Sequence, residues 1–302
     1  MKTIFIDCNP QMEPVFRRVR RADDPAIQVN LAQAPGELPP LVAGYQILID
    51  DHSHLPTDVM KQCPDLRHVV FLGVGAASYM DVPALKALGI TVHTIKGYGD
   101  RAVAEHTIAL LFAAARSVAA MDGALRRGTW QPLGGMQLEG KVLGLIGLGG
   151  IGLEVARMAR GLGMEVVAWN RSPVPDAPVP MLSRDDVLAK ADVLSLHIAL
   201  NDETRGLLGA AELARLKPGA ILINTARGAL VDEAALIAAL ESGHLRHAGL
   251  DVFASEPLAA DHPLTRLPNV TLTAHAAFRT PEASETLLRR AIDIVKRVSA
   301  DA

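Results

Sequence analysis

Cysteine is almost missing from this chain of 302 residues, which holds only Cys8 and Cys63. Two thiols cannot build a disulfide framework or a cysteine-rich zinc site, and they suit a cytoplasmic protein. Aromatic residues are scarce too, at 4%, against 49% hydrophobic and 21% charged residues. That balance gives a globular chain with ample core and excludes disorder and collagen-like structure. Neither sign of charge prevails: 30 basic and 33 acidic residues leave a formal charge of −3. A nucleic-acid or polybasic membrane partner is therefore not expected. Long apolar runs are lacking. The N-terminal MKTIFIDCNP meets Asp7 too soon for the apolar core of a signal peptide. The apolar stretch over residues 108–115 stops at Arg116, well short of the roughly 18 residues that a membrane span needs.

What is present is an alternation of short β-branched runs with helical patterns. At roughly 150 residues per domain the length suggests two domains or one large one. Strands are predicted over residues 3–6, 46–49, 68–71 and 91–95, then over 141–146, 165–169, 193–196, 220–224, 247–251 and 270–273. Helices are predicted over 100–127, 151–162, 185–189, 232–242 and 281–298. The segments KVLGLIG and AILINT read as strands buried on both faces, so the fold class is α/β with two doubly wound parallel sheets. Boundaries near residues 96–100 and near His275 divide the chain into 1–98 plus 276–302 and an inserted 99–275. The proline-rich stretches over 35–40 and 173–180 read as surface loops.

The strongest motif is Gly147-Leu148-Gly149-Gly150-Ile151-Gly152, which follows an apolar strand and opens a helix. Such a turn lets a backbone approach a pyrophosphate held at the helix N-terminus. An acidic residue about 20 positions further on would bind the ribose of NAD. Asn170, Arg171 and Ser172 stand there instead. No carboxylate repels a 2′-phosphate, and Arg171 can pair with one, so NADP(H) is the expected cofactor. The plainer alternative is a solvated Arg171, with Asn170 donating to the hydroxyls of NAD(H). Upstream, Gly135 to Lys141 mimics a P-loop, but Val142 stands where Ser or Thr is required and the segment precedes its strand.

Three further segments, Asn224-Thr225-Ala226-Arg227-Gly228, Asp251-Val252-Phe253-Ala254-Ser255-Glu256-Pro257 and His275 after VTLTA, complete a pattern. With GVGAASYMD, AVAEHTIALL and HIALNDETRGLL, the chain resembles the D-isomer-specific 2-hydroxyacid dehydrogenases over nearly its full length. The resemblance implies a Rossmann NAD(P)-binding domain inserted into a flavodoxin-like substrate domain. It also implies a catalytic set of Arg227, Glu256 and His275. Arg227 offers a planar fork to the carboxylate of a 2-keto acid and can polarise its carbonyl. His275 can give and retake a proton near neutral pH, and a Glu256 carboxylate on its ring would favour the protonated form. Each residue alone reads as readily as a surface ion pair, a turn residue or a hydrogen-bonded loop histidine.

The same resemblance places the backbone of Gly73, Val74 and Gly75 against the substrate, together with Arg227 and His275. It places His197, Thr225, Ala226 and Asp251 around the cofactor, although Asp251 can equally cap the turn that follows it. His52 reads as a polar loop residue that could touch substrate, and His106 as a packed or interface residue. His244 and His247 lack a third ligand, so no metal is expected. The histidine segment departs from the pattern: Ala274 precedes His275, where many relatives have Pro, and Phe278 follows where Gly or Trp is usual.

The resulting expectation is an NADP(H)-preferring reductase of small 2-keto acids, such as glyoxylate and hydroxypyruvate, yielding D-2-hydroxy acids. A homodimer is expected through the long apolar helix after Asp100. The alternatives are a dinucleotide-sensing binding protein, or a dehydrogenase of the same fold with another donor such as phosphite.

Overall fold

In the computed structural model, residues 1–31 and 37–300 are described. The chain begins with β1 (Thr3–Phe5), α1 (Met12–Val19), β2 (Ile27–Val29), α2 (Leu38–Val42), β3 (Ile47–Asp50), α3 (Thr57–Met60), β4 (His68–Phe71), α4 (Val82–Ala87) and β5 (Thr91–Thr94). These strands make a parallel sheet in the order β2-β1-β3-β4-β5, the flavodoxin-like arrangement. All four residues of β3 are buried, as its unbroken apolar sequence requires for a strand covered on both faces.

Two helices follow, α5 (Asp100–Ala115) and α6 (Val118–Arg126). After them come β6 (Val142–Ile146), α7 (Gly150–Gly161), β7 (Glu165–Trp169), α8 (Arg184–Lys190), β8 (Val193–Leu196), α9 (Ala210–Ala214), β9 (Ala220–Asn224), α10 (Glu233–Glu241), β10 (Leu245–Leu250) and β11 (Val270–Leu272). The second sheet is also parallel, in the order β11-β10-β9-β8-β6-β7. A parallel bridge between Ala168 and Met181 extends it beyond β7. Counted with that bridge, the strands follow the Rossmann order, with the switch point between β6 and β8. One face packs on Leu110, Leu111, Val155 and Ala156, and the other on Val187, Leu188, Leu213 and Leu236.

The last helix, α11 (Pro281–Ala300), returns to the first sheet. Its Leu287, Leu288, Ile292 and Val295 share a core with Phe5, Ile47 and Ile49. The chain thus forms two compact units, Met1–Gly99 with Arg279–Ala302, and Asp100–Phe278.

Three local expectations need correction. The helix predicted over 100–127 is two helices bent by 66°, with Ser117 left-handed at φ 52° between them. The carbonyl of Ala115, which a continuous helix would use internally, accepts a hydrogen bond from the Met136 amide at 2.7 Å. Gly135 permits that approach, because a Cβ there would stand 2.8 Å from the same carbonyl oxygen. The loop predicted over 35–40 is only partly one. Pro39 and Pro40 lie in the first turn of α2, where proline's missing N–H costs nothing; Pro35 and Gly36 lie outside the described residues. Strand β2 was not anticipated, since three residues carry too little periodicity to read. Among the described residues no single helix is long and apolar enough to cross a membrane.

Candidate active site

In the second unit the loops after β6, β9, β10 and β11 carry the residues singled out by sequence. After β6 the chain turns at Gly147, whose φ of 103° favours glycine. A Cβ there would overlap the His197 carbonyl, and one at Gly152 would overlap the Gly147 carbonyl. Turn, helix and neighbouring loop therefore close on each other with no side chain between them. Gly149 differs: nothing lies within 4 Å of where its Cβ would be, and it is exposed as the N-cap of the 12-residue α7. Gly150 faces Asp100, whose carboxylate would overlap a Cβ, while Ile151 is half-buried against the core. An open glycine backbone at a helix N-terminus, at the switch point of a parallel sheet, fits the pyrophosphate of a dinucleotide.

The end of β7 braces this turn. The Asn170 side chain accepts from the Leu148 amide at 3.2 Å and donates to the Ser172 carbonyl at 2.8 Å. Arg171 and Ser172 are exposed, and the Arg171 guanidinium lies 3.4 Å from the Glu203 carboxylate. His197, after β8, is held 2.9 Å from Ser195 Oγ. Burial pulls its pKa down to about 4, so it is neutral at physiological pH.

After β9, the buried Asn224 shapes the loop that presents Arg227. Its Oδ1 accepts from the Ala226 amide at 3.0 Å, and its Nδ2 donates to the Arg227 carbonyl at 2.9 Å. The Arg227 guanidinium is steadied by donating to the Ala226 carbonyl at 2.7 Å. Thr225 shares a 2.9 Å hydrogen bond with Thr107 of α5. Gly228 has no room for a side chain, because a Cβ would overlap the Phe253 carbonyl group. Neither Asn224 nor Gly228 was recognised from sequence as shaping the site. A polar residue closing an all-apolar strand was the available signal.

Glu256 is engaged through both oxygens. Oε1 accepts from the Phe253 amide at 2.9 Å, and Oε2 lies 2.6 Å from Nδ1 of His275. Burial works to raise the pKa of Glu256. The hydrogen bonds from His275 and Phe253 and the positive charge of Arg227 outweigh it and hold the group below the usual glutamate range. Arg227, Glu256 and His275 are thus electrostatically one cluster.

His275 has φ 48°, a left-handed conformation that costs a residue with a Cβ on the order of 1–3 kcal/mol. Asp251, fully buried at the end of β10, holds the loop there. Its carbonyl accepts from the His275 amide at 2.8 Å. Its carboxylate accepts from the Ala276 and Ala277 amides at 2.9 and 3.0 Å and from the Thr273 hydroxyl at 2.6 Å. Burial alone would raise its pKa, yet these donors and His106 bring it below the usual aspartate range.

The remaining expected residues sit elsewhere. Gly73, Val74 and Gly75 belong to the first unit, where they connect β4 to a short 3₁₀ turn over Ala76–Ser78. His52, also in that unit, pairs with Asp51 at 2.8 Å. It lines a cavity of about 310 Å³ with Asp7, Asn9, Gln11, Asp51 and Arg279. His244 and His247 have separate partners, the Leu213 carbonyl and Thr271. Among the described residues no His, Cys, Asp and Glu cluster is arranged to hold a metal ion.

Comparison with known proteins agrees with this geometry. Residues 108–277 match the family profile described as D-isomer specific 2-hydroxyacid dehydrogenase, NAD binding domain. A glyoxylate reductase of Aeropyrum pernix is 41% identical over 261 residues, covering 82% of this chain and 76% of that protein. A D-3-phosphoglycerate dehydrogenase of Mycobacterium tuberculosis is 40% identical over 258 residues, covering 83% of this chain. The chain spans about half of that relative's length, 48%. Among solved structures, an acyclic imino acid reductase in complex with NADPH and D-Arg superposes with a TM-score of 0.87 at 29% identity, covering 100% of this chain and 98% of its own. Fold, fingerprint and strand-end residues converge with these matches: the chain belongs to the D-isomer-specific 2-hydroxyacid dehydrogenase family.

Proposed function

We propose that this protein reduces small 2-keto acids, with glyoxylate and hydroxypyruvate the first candidates, to D-2-hydroxy acids, and prefers NADP(H) over NAD(H). The observation that carries the reading is the Arg227–Glu256–His275 cluster at strand ends of the same unit that bears the glycine turn. The bound reduced nicotinamide supplies the hydride. Arg227 binds the substrate carboxylate and polarises the carbonyl oxygen. His275, with Nδ1 on Glu256, faces the substrate through Nε2 and gives its proton to the nascent alkoxide. Glu256 stays ionised and balances the imidazolium while the keto acid binds. In this reading Gly73, Val74 and Gly75 offer backbone amides to the carboxylate.

The pyrophosphate is assigned to Gly147, Gly149, Gly150, Ile151 and Gly152, and the nicotinamide side to His197, Thr225 and Ala226. Asp251 is assigned to the nicotinamide side as well: three protein donors brace its carboxylate against the histidine loop, and a carboxylate accepts more than three hydrogen bonds. NADP(H) preference rests on Asn170 standing where NAD enzymes carry an acid, and on the exposed Arg171 beside it. Glu203 near Arg171 favours the second reading, in which NAD(H) serves as well. The reading extends to a homodimer and a cytoplasmic setting. Most of α5's apolar face is used within its own unit, whereas Val118, Leu125 and Trp130 remain 49%, 53% and 85% exposed.

The test is oxidation of NADPH and of NADH, measured separately, with glyoxylate, hydroxypyruvate and pyruvate. Turnover faster with NADPH supports the whole reading. Turnover with NADH alone retains the enzyme class and removes the role given to Arg171.

A further inference from the structure

His106 lies on α5, away from the strand-end loops in sequence, yet it closes a hydrogen-bond chain to the histidine loop. Its Nε2 is 3.0 Å from Thr273 Oγ1 and 3.5 Å from Asp251 Oδ1. Thr273 in turn donates to Asp251 Oδ1 at 2.6 Å. Asp251 is ionised and can only accept, so the Thr273 hydroxyl proton points at it. The Thr273 oxygen is then left as the acceptor, and the proton between the two side chains must sit on His106 Nε2. Donation runs from His106 through Thr273 to Asp251, whose carboxylate also accepts from the amides of Ala276 and Ala277. Those amides immediately follow His275, which is held at φ 48°. The next residue of the same helix, Thr107, is buried and bonds Thr225 at 2.9 Å, two positions before Arg227. Consecutive residues of α5 therefore buttress the loops of both the proposed acid and the proposed carboxylate-binding arginine.

We propose that His106, through an Nε2 proton given to Thr273, is a positioning residue that fixes the geometry of His275 and thereby sets the rate of proton delivery. This rests on the reading of His275 as the general acid. Nothing in the chain requires His106 to touch substrate or cofactor. Its effect falls on kcat, because a loop displaced by a fraction of an ångström changes transition-state alignment more than ground-state binding.

The test compares His106→Leu, His106→Gln, His106→Asn and Thr273→Val with the parent enzyme and with His275→Asn, by steady-state kinetics with keto acid. Glutamine can present an N–H where Nε2 stood, whereas asparagine is too short and leucine fills the space without a donor. His106→Leu and Thr273→Val are expected to lower kcat about ten-fold, with cofactor KM within about two-fold. His106→Gln should return to within about three-fold of the parent, and His106→Asn should not. If His106→Leu does not fold, the glutamine–asparagine contrast and Thr273→Val still decide. Parental kcat in the leucine and valine variants, with His275→Asn inactive, overturns the inference alone. Glutamine no better than leucine or asparagine also overturns it, reducing His106 to a space-filling role. Full activity of His275→Asn overturns both the inference and the reading beneath it.

Discussion

Gly228 and Phe253 are in backbone contact: the loop after β9 passes the loop after β10 with no space for a single Cβ. This contact lets the arginine of one strand end act on the glutamate of the next. Gly228→Ala must push the two loops apart, and the neighbouring atoms are backbone, which cannot rotate away. The expected outcome is a loss of kcat/KM with keto acid on the order of 10²-fold, with cofactor affinity retained. Fluorescence titration with NADPH beside steady-state kinetics checks it; parental activity would show that the loops relax freely.

The Glu256–His275 pair predicts a pH signature. Glu256 is held below its ordinary range, so it is anionic through neutral pH and meets the imidazole with a full negative charge. In Glu256→Gln that charge is lost. Keto-acid reduction should fall relative to the parent, and fall further on the alkaline side of the profile than on the acid side. Parallel pH–rate profiles for kcat would remove Glu256 from the proton-delivery role.

Arg171 provides the cofactor prediction. A charge-assisted hydrogen bond to a 2′-phosphate contributes about 1.5–3 kcal/mol. Arg171→Ala should therefore weaken NADPH binding by roughly 10–100-fold and leave NADH binding nearly unchanged. Arg171 lies 3.4 Å from the Glu203 carboxylate, a second acceptor that competes for the same guanidinium. Equal loss for both cofactors would contradict the assignment.

Stability at acid pH hinges on the buried ion pair that fastens α11. The Asp24 side chain is 1% exposed and bonds Arg289 through both oxygens, at 2.7 and 2.8 Å. The Arg289 hydrogen bonds, against the cost of burial, lower its pKa to about 2. A carboxyl whose pKa is depressed on folding stabilises the fold above its unfolded value, and that contribution is lost as pH falls through the folded value. Roughly 2 kcal/mol should thus disappear between about pH 4 and pH 2. Denaturation of Asp24→Asn should show a deficit at pH 7 that shrinks towards pH 2. A deficit independent of pH would assign the effect to packing.

Much of this arrangement is legible in the sequence for physical reasons. Strands such as Ala220–Asn224 are buried on both faces, so they read as unbroken apolar runs. The turn after Ile146 needs glycines for space and for a positive φ, and glycine is visible in a sequence. The segments bearing Arg227, Glu256 and His275 each follow a strand of one parallel sheet, so their placement at one end of the sheet follows from parallel topology. What stays hidden depends on partners distant in sequence. The break after Ala115 is imposed by Met136 and Gly135, and α5 shows no local helix breaker. His106 reads as an ordinary packed residue until Thr273 and Asp251 are seen beside it. Asp251 likewise yields its role only once Ala276 and Ala277 are known to turn back onto it.

In the proposed function, reduction of a 2-keto acid depends on proton delivery from His275 within one strand-end cluster. The most direct measurement is NADPH and NADH oxidation with glyoxylate and hydroxypyruvate by the parent enzyme and His275→Asn, alongside cofactor binding to each. Turnover by the parent and a loss of about 10²–10⁴-fold in the variant are expected, with cofactor affinity unchanged. A parent that binds cofactor yet turns over neither acid, or a His275→Asn variant as fast as the parent, would contradict the proposed function.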